Sequence, residues 1–204
     1  MIIGSAGYTA MLCVIEVIKN INKNEGEILV TGASGGVGSF SIYLLSKLGY
    51  KVSASTGKIN ESSYLKSIGA STIIDRNEFN SEPKALDKER WSAVIDSVGG
   101  KTLSNIISQT KYDGLVTSVG LAQSPELITT VFPFILRNIT LKGIDCVYAS
   151  YEKRIEAWNK LSSMCDKSEI RSMGMIKSLT DLESLSKDII EGKIKGRIVI
   201  DVNN

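Results

Sequence analysis

The chain contains no histidine and only three cysteines and three prolines in 204 residues. Without histidine it can assemble no Ser-His-Asp triad, no Cys-His pair and no imidazole metal ligand of its own. Cys13, Cys146 and Cys165 stand far apart, with no C-x-x-C spacing. That pattern argues against a structural zinc site or a disulfide framework and fits reduced thiols in the cytoplasm. A charge excess is missing as well: 24 basic against 22 acidic side chains leave a net charge of +2. Nucleic-acid binding, which needs a concentrated basic face, has no support. Long apolar runs are also lacking. The uncharged stretch Met1–Ile15 is shorter than the roughly 20 residues of a membrane span. It carries Gly4, Ser5, Gly7, Tyr8 and Thr9, and no basic residue leads it as in a signal peptide. Chemistry must come from other groups, from a cofactor or from a partner.

What is present is an ordinary globular composition, 43% apolar and 23% charged, with length for one domain and a fraction of a second. Ala10, Val14, Val17, Ile18 and Ile21 recur at helical spacing and predict a lead-in helix within residues 1–24. Strand and helix signals then alternate. Strands are expected at Ile28–Val30, Lys51–Ser55, Thr72–Ile74, Ala93–Ile95, Leu115–Val119 and Ile139–Ile144, with helices between them marked by Leu44, Leu65 and Leu103. Such alternation predicts an α/β fold, a Rossmann-type doubly wound parallel sheet over residues 1–150. In residues 151–204 a helix is expected from Tyr151 to Met164. Another is expected from Thr180, with Glu183 completing a capping box. The last strand, Ile198–Val202, has no evident neighbour in sequence.

The segment Thr31-Gly-Ala-Ser-Gly-Gly-Val-Gly38 joins the first clear strand to a helix. Glycine serves there for a tight turn, close approach of backbone to a pyrophosphate, and helix-on-strand packing. Read as G-x-G-x-x-G its first glycine is Ala33, but the strand–loop–helix setting supports dinucleotide binding. A short-chain dehydrogenase pattern also matches. A helix precedes the first strand, however, and the one Tyr-x-x-x-Lys spacing, Tyr43 to Lys47, directly follows the loop. A P-loop is excluded because no Gly-Lys-Ser/Thr follows at the right distance. NAD-preferring sites place an acid at the end of the second strand. Lys51–Asn60 contains none and offers Thr56, Gly57 and Lys58, with Arg76 after the third strand. Those groups suit a 2′-phosphate, so NADPH is the expected cofactor.

Gly7-Tyr-Thr-Ala10, the glycine loop, Tyr64-Leu-Lys-Ser-Ile-Gly-Ala70, Asp96-Ser-Val-Gly99 and Phe132-Pro-Phe-Ile-Leu-Arg-Asn138 together resemble the medium-chain dehydrogenase/reductase superfamily. The nearest branch is the zinc-free NADPH quinone oxidoreductase and acrylyl-coenzyme A reductase group. The resemblance implies that Ser34, Gly35, Gly36 and Val37 hold the pyrophosphate and that Thr56, Gly57, Lys58 and Arg76 hold the 2′-phosphate. It places Leu121, Ile135 and Cys146 beside the nicotinamide and Arg197 in a segment returning toward the active site. Ile2 stands where zinc-dependent relatives have a cysteine ligand. The implied activity is hydride transfer to a small enone-like acceptor, a quinone or an acyl-coenzyme A. The alternative is a non-catalytic NADPH-binding module working with another chain. Such enzymes open with a GroES-like β domain, absent from these 204 residues, so residues 151–204 are expected to be the returning part of a truncated second domain. On that view the last strand lacks a partner, apolar surface is exposed around Met1–Leu12, and a homodimer forms through the Ile139–Ile144 strand edge.

Overall fold

The computed structural model describes residues 1–203. A helix α1 (Gly4–Asn20) precedes β1 (Glu27–Val30), α2 (Gly36–Lys47), β2 (Lys51–Thr56), α3 (Ser62–Ser67) and β3 (Thr72–Asp75). The second half runs β4 (Trp91–Asp96), α4 (Gly100–Ser108), β5 (Thr110–Ser118), α5 (Phe132–Arg137) and β6 (Thr140–Gly143). All six strands are parallel in the order β3-β2-β1-β4-β5-β6. The expected doubly wound sheet is therefore present. Its direction of growth reverses between β1 and β4, which opens a crevice at their carboxyl ends.

Two apolar clusters cover the two faces. One joins α1 and α2 to β1 and β2 through Met11, Val14, Phe40 and Leu44; the other sets Ile106 and Ile107 of α4 against Leu29, Val94 and Val116. β1 is buried on both faces, which explains its continuous apolar reading, Ile28-Leu29-Val30. Helix α5 begins with Pro133 in its first turn and ends at Asn138, whose φ of 50° is left-handed. Arg137 binds the chain around it: its guanidinium donates to Ser108 O at 2.7 Å and pairs with Glu89 at 3.2 Å.

The tail comprises α6 (Tyr151–Met164), α7 (Lys167–Ser172), β7 (Gly174–Ser178), α8 (Leu182–Ile190) and β8 (Arg197–Asp201). Three expectations are corrected here. The last strand has a partner, since β8 pairs in parallel with β7, from Gly174 opposite Arg197 to Ser178 opposite Asp201. β7 escaped notice because Gly174-Met-Ile-Lys-Ser178 is short and only its middle is apolar. The capping box lies two residues earlier than Thr180 and Glu183: Ser178 and Asp181 exchange the two bonds around a 3-10 turn that leads into α8. The stretch Met1–Leu12 is mostly covered. From Ala6 to Leu12 every residue is buried, because α1 lies between α2 and α6, whose Ala157 and Leu161 join the same core. A helix apolar all round demands cover on all sides, and α6 supplies it.

Candidate functional site

At the crevice the glycine loop turns from β1 into α2. Thr31 N–H donates to Ile95 O at 3.0 Å and Ala33 N–H to Ser55 O at 3.0 Å, so the loop is tied to both flanking strands. Gly32 has φ +57°, and a Cβ there would stand 2.3 Å from Ser97 Oγ. At Gly38 a Cβ would lie 2.4 Å from Gly32 O and 2.7 Å from Ala33 Cα, so glycine is what lets α2 seat on the loop. Beneath the loop Asp96 is fully buried. Its carboxylate accepts from Thr31 Oγ1 at 2.6 Å and from Gly99 N–H at 2.9 Å. Burial pushes its pKa up, while those donors pull it down. Asp96 thus braces the ends of β1 and β4.

Beside the loop lies a cleft of about 600 Å³ lined by Ser34, Thr56, Gly57, Lys58 and Arg76. Five sequence-assigned residues therefore share one cavity. Ser34 Oγ lies 3.3 Å from Thr56 Oγ1, and Lys58 N–H donates to Thr56 Oγ1 at 3.0 Å, which fixes the turn after β2. Arg76 crosses Gly57 so closely that a Cβ on Gly57 would sit 2.5 Å from Arg76 Nε. The Lys58 ammonium donates to Ile194 O, and partial burial lowers its pKa. Gly35 caps α2 without a side chain, and Gly36 and Val37 form its first turn, whose N–H groups have no intrahelical acceptor. A bare loop surface at a helix N-terminus, next to two cations and two hydroxyls, fits a pyrophosphate and a 2′-phosphate.

Arg197 reaches the same loop from the far end of the chain. A Cβ on Gly36 would lie 2.9 Å from Arg197 Cδ, and Arg197 Nε donates to Ile2 O at 3.2 Å. The preceding residues form a strap, with Glu191 and Gly192 lining the cleft. Gly196 N–H donates to Ser34 O at 2.8 Å, and Lys195 pairs with Glu61 at 2.7 Å. Sequence reasoning missed Glu191 and Gly192, and also Asn77, Asn80 and Gln123, which line the cleft on another side. No motif marks them; the fold alone brings them in.

Other assignments fall elsewhere. Leu121 is 64% exposed and lines a separate cavity of about 510 Å³ between Gly99 and Ile144. Its neighbours Ala122 and Gln123 line the main cleft. Ile135 is exposed on α5 and Cys146 half-buried against the α1 core; neither lines either cavity. Tyr43 and Lys47 serve the scaffold: Tyr43 Oη donates to the Glu169 carboxylate at 2.7 Å, and Lys47 pairs with it at 2.5 Å, which holds α7 against α2. Among the described residues no cluster of three or more His, Cys, Asp or Glu could hold a metal ion, and no helix is long and apolar enough to cross a membrane.

Residues 36–164 match the family model described as zinc-binding dehydrogenase. The chain is similar over its whole length to the probable acrylyl-CoA reductase of Escherichia coli K12, at 44% identity and 63% of that protein's length. It is 39% identical to the putative quinone oxidoreductase of Bacillus subtilis 168, with 98% of this chain and 62% of that protein covered. Among solved structures, Escherichia coli K-12 YhdH with bound NADPH superposes with a TM-score of 0.96 at 44% identity, covering 100% of this chain and 63% of that one. Bacillus subtilis YhfP with NAD bound gives 0.93 at 38% identity, covering 99% and 62%. The chain thus spans about three-fifths of the length of these relatives.

Proposed function

The chain belongs to the zinc-binding dehydrogenase family, and on that premise we propose that it is the NADPH-binding part of an oxidoreductase acting on an enone-like acceptor. The acceptor is a quinone or an α,β-unsaturated acyl-coenzyme A such as acrylyl-coenzyme A. The observation that carries this reading is the single cleft that collects Ser34, Thr56, Gly57, Lys58 and Arg76 at the sheet's switch point. No carboxylate stands at the end of β2, where Thr56 takes the place that an acid occupies in NAD-preferring sites. Relatives described as an acrylyl-CoA reductase and a quinone oxidoreductase support the acceptor class.

When bound, NADPH supplies the hydride. This chain's residues bind and orient it. The first turn of α2, at Gly36 and Val37, offers N–H groups and positive potential to the pyrophosphate, and Arg197 adds a cation. Lys58 and Arg76 neutralise the 2′-phosphate, and Thr56 holds their turn. Leu121, Ile135 and Cys146 are assigned to the nicotinamide end through the resemblance. We place the groups that polarise the acceptor outside these 204 residues and divide the chain into a nucleotide-binding unit, 1–150, and a returning unit, 151–204. The separate β7–β8 pair supports that division. β6 is an edge of the six-stranded sheet, which supports a homodimer extended across it. Three unpaired thiols support a cytoplasmic location.

The second reading is a non-catalytic module that binds NADPH in the same cleft and works with another chain. One experiment separates the two. NADPH is titrated by its fluorescence, and turnover is then assayed with acrylyl-coenzyme A and with a quinone. Turnover supports the enzyme over the module and brings the acceptor-polarising groups within these 204 residues, binding without turnover keeps those groups outside them, and failure to bind refutes both readings.

A further inference from the structure

We propose that Asn77, Asn80 and Gln123 form an adenine-reading edge of the cleft, an inference that rests on the NADPH reading. All three line the cavity that holds Arg76. Their amides form a run of contacts in one sense. Thr102 N–H donates to the Gln123 side chain at 2.9 Å. A backbone N–H only donates, so the Gln123 atom it meets is the oxygen, and the NH₂ group is the other end. That NH₂ faces Asn80 Oδ1 at a loose 3.5 Å, and Asn80 Nδ2 donates to Asn77 Oδ1 at 2.9 Å. Gln123 is further held by its own backbone N–H, which donates to Val98 O at 2.8 Å. Asn77 is held by its N–H on the Asp75 carboxylate at 2.8 Å. The Thr102 N–H thus orients the Gln123 amide, and the two contacts that follow run in the same sense.

The relay leaves specific valences unused. Asn80 keeps one lone pair on Oδ1 and one hydrogen on Nδ2, and Gln123 and Asn77 keep NH₂ hydrogens. An amide presenting oxygen and NH₂ side by side pairs with adenine, whose N6 amine donates next to ring-nitrogen acceptors. Hypoxanthine carries a carbonyl in place of that amine. To pair with it Asn80 would have to turn end for end, which would face oxygen toward Asn77 Oδ1 and NH₂ toward the Gln123 NH₂. Such a flip would set NH₂ against the Gln123 NH₂ and would require Asn77 to turn as well, so the cleft favours adenine over hypoxanthine. Arg76, in the same cleft, offers a planar guanidinium to the base face.

Calorimetric titration of the 204-residue chain with NADP⁺ and with its deamino analogue, hypoxanthine replacing adenine, tests this. The wild type is expected to bind NADP⁺ roughly tenfold more tightly. In Asn80→Ala and Gln123→Ala that preference should fall toward one, chiefly through loss of NADP⁺ affinity. Both residues are exposed, so an unchanged thermal transition verifies folding. Equal wild-type affinity for the two dinucleotides, or a preference that survives in both variants, overturns the inference and leaves the NADPH reading standing. Binding of neither dinucleotide overturns the NADPH reading and the inference with it.

Discussion

Gly57 and Arg76 offer the sharpest test of the cleft. A Cβ added at Gly57 would stand 2.5 Å from Arg76 Nε, 2.7 Å from Cζ and 2.8 Å from Cδ. The obstructing group is the mobile end of an exposed side chain, so Gly57→Ala should displace the guanidinium and leave the fold intact. If Arg76 makes a charge-assisted bond to the 2′-phosphate, its loss costs about 1.5–3 kcal/mol, roughly a ten- to 150-fold rise in Kd for NADPH. Arg76→Ala removes the same bond directly. NADH lacks the phosphate, so neither variant should change its affinity much. Because both substitutions act through one group, the double variant should match the single ones, with a coupling energy close to the whole effect. Fluorescence titration with NADPH and NADH on four proteins completes the cycle, and thermal melts confirm folding. Equal losses for both cofactors, or additive losses in the double variant, would refute the assignment.

Two further outcomes concern the scaffold. Gly38→Ala would press a methyl against backbone atoms at 2.4, 2.7 and 2.9 Å, none of which can rotate away. A stability loss of about 1–3 kcal/mol or more is expected by urea denaturation, with a smaller loss for Gly36→Ala, whose nearest obstacle is the Arg197 side chain. Asp96 should make stability depend on pH. Its folded pKa is raised above the ordinary 3.8, so the native state holds the proton more tightly than the unfolded chain. That contribution is complete below the unfolded value and is lost as pH rises through the folded one. Asp96→Asn should remove this slope. Urea titrations of both proteins across the acid range check it, and parallel curves would count against it.

Much of the fold was legible because its signals are local. Ile28-Leu29-Val30 reads as a doubly buried strand, and Thr31–Gly38 reads as a strand-to-helix turn whose Gly38 has no room for a Cβ. Thr56, Gly57, Lys58 and Arg76 could be assigned because β2 and β3 are neighbours, so their carboxyl ends meet. Other features were not legible. β7 lacks a strong pattern of its own and is stabilised by β8, whose partner residues lie 23 positions further on, from Gly174 to Arg197. The box at Ser178 and Asp181 competed with an equally spaced Thr180 and Glu183, and only the 3-10 turn decides between them.

The sequence by itself determined the parallel α/β architecture, the glycine-rich turn from β1 into α2 and the acid-free, cationic turn after β2. Each rests on neighbouring residues whose backbone needs and charges are readable in place. Tertiary structure alone decided what closes the cleft. Lys58 meets Ile194 across 136 positions, Gly196 meets Ser34, and Asn80 meets Gln123 across 43. Such contacts leave no periodicity or motif, because an amide or a backbone carbonyl acquires its partner only when the sheet order and the returning tail bring distant segments within hydrogen-bond reach.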